Sequence, residues 1–157
     1  MDLHGYAQFL KVFRGYRKTA RSAPCIGFRR VDARFGMGEE SGWRGWLYAV
    51  LIKKHSHVQA ASWVAALWML WHLPAFAFNE SYQKMGWGVI GWVISLFYGS
   101  VLLGWLFLKS GSVIPLIIWH GVFDLITASD HLPDLVPAVI SGVVIMQGIY
   151  LIGKPSW

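Results

Sequence analysis

Four stretches of this chain are long and apolar enough to cross a bilayer, and they leave little choice of fold. They are Gln59–Phe78, Gly86–Leu108, Ser110–Ser129 and Leu135–Ile152. A hydrocarbon core about 30 Å thick takes about 20 apolar residues at a rise of about 1.5 Å each. Inside it every backbone N–H and C=O must be paired within the protein, which for segments of this length means α-helix. The first, second and fourth stretches hold no Asp, Glu, Lys or Arg, and the third holds only His120 and Asp124. Charged residues are 14% of the 157, too few to coat a soluble domain of this size. The expected fold is all-α: a polytopic transmembrane helix bundle of four spans, with a short helix over residues 36–54 carrying Glu39 and Glu40 at its start.

Charge divides the chain into two parts. Residues 1–36 hold eight Lys and Arg against Asp2 and Asp32, so the whole net charge of +6 sits there. The expected organisation is a basic amphipathic arm and linker over 1–35, then a membrane core over 36–154. In the arm, Leu3, Tyr6, Phe9, Leu10, Phe13 and Tyr16 recur at helical spacing among the basic residues, a pattern suited to a helix lying in the membrane interface. Anionic lipid headgroups of the bilayer, not nucleic acid, are the expected counter-charge. One cysteine, Cys25, excludes an intrachain disulfide and any multi-cysteine metal site.

Against this background the ionisable groups at bilayer depth stand out. A charge at the centre of a spanning helix costs about 3 kcal/mol on insertion scales, so it marks a functional site by default. The groups are Glu39, Glu40 and Arg44, then His72, then His120 and Asp124. Helical rise puts them in one layer. His72 lies 13 residues into the first span, about 20 Å from the face that bears Lys53 and Lys54. His120 and Asp124 lie about 12 and 18 Å from that face, and Glu39 about 21 Å from it. Within helices, Glu40 with Arg44, and His120 with Asp124, are four apart and share a face, while Glu39 points about 100° away from Glu40. Trp68, one turn before His72, can pack on its ring. Singly, each has a plainer reading: acids favouring a helix dipole, a core histidine, a polar clamp between helices.

Two carboxylates and two imidazoles in a semi-dry cavity suit water activation. Glu39 is the candidate general base, and His72 shares the water or passes its proton to a leaving amine. His120 stabilises an oxyanion with Asp124 orienting its ring. The same set suits a divalent metal, zinc foremost, between Glu39, His72, His120 and Asp124. No His-Glu-x-x-His helix marks a zinc site, so both chemistries stay open. A non-catalytic membrane interaction protein is the alternative from another class.

These residues carry a resemblance. Glu39-Glu40-x-x-x-Arg44, Trp68-x-x-x-His72 and Ser112-x-x-Pro115-x-x-x-x-His120-x-x-x-Asp124 resemble, in order, the three motifs of the CPBP intramembrane proteases. That family includes type II CAAX prenyl endopeptidases and bacterial proteins tied to bacteriocin processing or self-immunity. The resemblance implies an intramembrane endopeptidase acting on a peptide or protein substrate, lipidated in the CAAX case. It implies that Glu39 and His72 activate water, that His120 and Asp124 complete the site, and that Glu40 and Arg44 support it. Eukaryotic members have Asn where this chain has Asp124, and an acid there favours a metal. Members usually carry further spans before the Glu-Glu motif, where this chain has the basic arm. A natural short form and a truncated, inactive form are both expectations on that ground. The expected location is a bacterial cytoplasmic membrane. Counting the basic arm, positive charge places the site on the cytoplasmic side.

Overall fold

The computed structural model describes residues 37–127, 133 and 135–154, and every regular element among them is helical. The basic arm, its linker and Cys25 lie outside the described residues. Helix α1 covers residues 37–51, with Trp43–Tyr48 wound as π-helix and Ala49–Leu51 returning to α-helix. It is followed by α2 (His57–Phe78), the short α3 (Glu80–Gln83), α4 (Gly88–Ser110), α5 (Ile114–Thr127) and α6 (Leu135–Ile152).

Local chemistry sets most of these limits. Ser56 and Gln59 form a reciprocal capping box at the start of α2: Ser56 Oγ accepts from the Gln59 N–H at 3.3 Å, and Gln59 Oε1 accepts from the Ser56 N–H at 3.1 Å. Gly111, in the left-handed region at φ 63°, ends α4. Ser112 Oγ accepts from the Ile114 N–H at 3.2 Å, and Pro115 sits in the first turn of α5, where its missing N–H costs nothing. Pro74 lies inside α2, which runs on through it to Phe78.

Among the described residues, three helices, α2, α4 and α6, are long and apolar enough to cross a membrane. The expected third span is shorter than its apolar run. Gly111 and the residues after it use up its first turn, and the described part of α5, Ile114–Thr127, holds 14 residues that rise about 21 Å. Large apolar side chains point outward, including Leu70, Ile118 and Met146, as a surface facing lipid requires.

Small residues bring the helices together, since apolar burial drives little association in lipid. Helix α4 is central and packs on α6, α2, α5 and α1. Ala60, Ala61 and Ala65 of α2 are buried, and Ser100 Oγ of α4 donates to the Ala61 carbonyl at 2.9 Å. On the other side, a Cβ on Gly148 of α6 would lie 2.7 Å from Tyr98 Cβ, so only glycine fits that crossing. Gly104 likewise makes room for the Tyr48 ring, which a Cβ would approach to 2.9 Å.

The π segment aligns the polar residues of α1. Glu40, Arg44 and Tyr48, each four apart, are all buried on one face. In a plain α-helix such a stripe drifts about 40° every four residues. The wider turn of a π segment offsets the drift and keeps the three in register.

Candidate active site

Residues from α1, α2 and α5 meet around one side chain, Trp68. Its indole N–H donates to Glu39 Oε2 at 2.7 Å. Its backbone carbonyl receives His72 Nδ1 at 2.7 Å. Its ring meets His120 edge-on with centroids 5.2 Å apart, and the Arg44 guanidinium carbon lies 4.4 Å over it. The expected contact with His72 is present as a tilted pair 6.0 Å apart. The sequence shows Trp68 as an aromatic one turn from a histidine. It does not show that one indole touches all three motifs.

The two glutamates part as their 100° separation requires. Glu39 is half-buried and faces a groove of about 480 Å³ lined by Gly38, Gly42, Trp43, Trp46, Leu47 and Trp71. Glu40 is fully buried, and its Oε1 accepts from Arg44 Nη1 and from His120 Nδ1, both at 2.8 Å. Helical spacing anticipates the first of these bonds. The second joins residues 80 apart in sequence and has no sequence signal. Glu40 and Arg44 therefore sit in the interior beside His120, not at an entrance.

Hydrogen-bond chemistry assigns the imidazole protons. A carbonyl only accepts, so His72 Nδ1 carries the proton and Nε2 presents a lone pair. His120 has a carboxylate at each nitrogen: Glu40 at Nδ1, and Asp124 Oδ2 at 3.4 Å from Nε2. The longer contact lies outside ordinary hydrogen-bond length and is an ion pair only when the ring carries both protons. In that state His120 is an imidazolium among Glu40, Asp124 and Arg44, a group that stabilises negative charge.

The connection after α2 adds Tyr82, carried by α3. Its ring stacks on His72 at 6.1 Å and 29°. Burial, and then the charges of Asp124 and Glu39, push its phenol up to about 12. Trp92 of α4 meets His72 edge-on at 5.5 Å.

The residues expected to hold a metal do not converge as a ligand set. Among the described residues, no group of three or more His, Cys, Asp or Glu is placed to hold a metal ion. His72 has Nε2 to offer and Glu39 its second oxygen, while His120 turns both nitrogens to carboxylates.

The family model described as type II CAAX prenyl endopeptidase Rce1-like matches residues 33–126, a stretch that contains Glu39, Glu40, Arg44, Trp68, His72, Tyr82, His120 and Asp124. The protein named CAAX prenyl protease 2 of Methanococcus maripaludis is 31% identical over 117 residues. That alignment covers 71% of this chain and 42% of the relative, so the chain spans less than half the length of the curated protein it matches. No solved structure matches the chain.

Proposed function

This chain belongs to the type II CAAX prenyl endopeptidase Rce1-like family, and from that premise we propose that it hydrolyses a peptide bond within the membrane using water activated by Glu39 and His72. Glu39 takes a proton from water, and the hydroxide attacks the scissile carbonyl carbon. As the C–N bond breaks, the proton passes through His72 Nε2 to the leaving amine. His120, held as a cation by Glu40 and Asp124, faces the oxyanion of the tetrahedral intermediate. A positioned general base contributes about 10²–10⁴-fold and a preorganised oxyanion donor about 10²–10³-fold.

The observation that carries this reading is the double tie at Trp68, whose indole holds Glu39 and whose carbonyl holds His72. The substrate is a peptide or protein segment at the membrane surface. The aromatic groove ending at Glu39 suits an apolar or lipidated chain. No step is routed through a metal.

The test is cleavage of a peptide by the purified chain in lipid nanodiscs, with prenylated and unmodified versions compared. Glu39→Ala and His72→Ala are expected to abolish turnover while the helical content is kept. Undiminished turnover in both variants sinks the assigned roles. In cells, a phenotype that survives Glu39→Ala points to a non-catalytic membrane interaction.

A further inference from the structure

The connection between α2 and α4 folds back over the site. Asn79 Oδ1 accepts from the Ser81 N–H at 2.9 Å, and Gln83 Nε2 donates to the Ala77 carbonyl at 3.0 Å. These bonds pin α3 to the last turn of α2 and set Tyr82 among aromatic neighbours. Its ring meets Phe76 at 5.0 Å and Trp92 at 5.8 Å, both edge-on. Against His72 it lies nearly parallel, at 29°. Trp68 and Trp92 meet the same imidazole tilted and edge-on, at 57° and 71°. Tyr82 is therefore the ring laid along the face of His72, and it belongs to none of the three motifs.

We propose that Tyr82 is a positioning residue for the reaction, its ring holding the His72 imidazole against the Trp68 carbonyl so that Nε2 stays presented to the water. The inference rests on the endopeptidase reading. The hydrogen bond at Nδ1, off the Cβ–Cγ axis, opposes rotation of the ring through one contact. A nearly parallel neighbour adds a second restraint on that rotation. A stacked phenyl serves as well as a phenol, so the role lies in the ring and not the hydroxyl. Burial keeps the phenol protonated well above neutral pH.

The test uses the full chain in nanodiscs with Tyr82→Phe, Tyr82→Leu and Tyr82→Met, the last keeping bulk at the position should leucine impair folding. Tyr82→Phe is expected to keep kcat within about twofold. The Leu and Met variants are expected to lose about 10- to 100-fold in kcat, with KM within about twofold, as a misplaced catalytic group does. Full kcat in the Leu and Met variants overturns the proposal.

A second readout needs no turnover. Side-chain ¹⁵N spectra should show His72 as one Nδ1-protonated tautomer in the wild type and Tyr82→Phe, and as a mixture in Tyr82→Leu or Tyr82→Met. A single unchanged tautomer in all of them overturns the proposal. If the wild type cleaves nothing while the spectra change as expected, the endopeptidase reading fails and the positioning of His72 stands.

Discussion

Trp68 donates its indole N–H to Glu39 at 2.7 Å, across 29 residues of sequence. The bond fixes which way the carboxylate turns and satisfies one of its oxygens. Hydrogen bonds to charged groups contribute about 1.5–3 kcal/mol. Trp68→Phe keeps an aromatic ring but removes the donor and part of the buried indole. Its kcat is expected to fall about 10- to 100-fold, with a loss of thermal stability from the missing bond and packing. Wild-type kcat in that variant would show that the bond does not orient Glu39.

The two adjacent glutamates should separate cleanly by experiment. Glu40→Ala leaves Arg44 and His120 buried without their shared acceptor, and breaking a buried ion pair costs about 3–5 kcal/mol. Equilibrium unfolding in mild detergent should register that loss directly. Glu39→Gln, at a half-buried position on a groove, is expected to change stability by under about 1 kcal/mol while turnover disappears.

At the crossing of α4 and α6, Gly148→Ala is expected to destabilise the bundle by about 1–3 kcal/mol, because the new methyl would meet both the Tyr98 side chain and its carbonyl oxygen at 3.0 Å. Gly142→Ala, on the same helix, would meet nothing within 4 Å and serves as the neutral control. Unfolding midpoints of the two variants in one detergent compare them.

Alkaline titration should single out Tyr82. Its phenol is raised from 10.0 to about 12, chiefly by burial. Below pH 10 the residue is protonated whether the chain is folded or not, and it adds no pH dependence. Between pH 10 and about 12 the unfolded chain releases the proton first, so the stability present below pH 10 is progressively lost. Tyr82→Phe should remove one late phenolate from the ultraviolet titration and flatten that decline.

Chelation tests the proton assignments from another side. With both His120 nitrogens facing carboxylates and no converging ligand set among the described residues, dialysis against a strong chelator is expected to leave cleavage within about twofold of the untreated protein. Activity lost on dialysis and restored by zinc would mean that His120 or His72 turns away from its partner here.

Much of this site is legible in the sequence because helical spacing is arithmetic. The pairs Glu40 with Arg44 and His120 with Asp124 are four apart, and the structure places each pair in contact. Rise per residue puts three motifs in one layer, and α1, α2 and α5 do bring them to Trp68. What spacing cannot convey is which groups meet across helices. The bond from His120 to Glu40 depends on how α5 packs on α1, and the stack of Tyr82 on His72 on how one short turn folds back. The π segment is hidden for a different reason. It is a change in hydrogen-bond register, and neither composition nor apolar period marks it. The length of α5 also escapes an apolar count, because Gly111, Ser112 and Val113 are compatible with a span by hydropathy but form its cap.

On the endopeptidase reading proposed above, the groove at Glu39 has a kinetic consequence. Its tryptophans Trp46 and Trp71 are mostly exposed on a surface otherwise suited to lipid, and a Cβ on Gly38 or Gly42 would meet nothing within 4 Å. A substrate arriving along it diffuses in two dimensions, in the plane of the membrane. Its effective concentration is then a number per unit of lipid area. Diluting the assay with buffer should leave the rate per enzyme unchanged, whereas adding empty lipid that mixes with the same membranes should slow it. For such a protein the membrane is the solvent that sets the encounter rate.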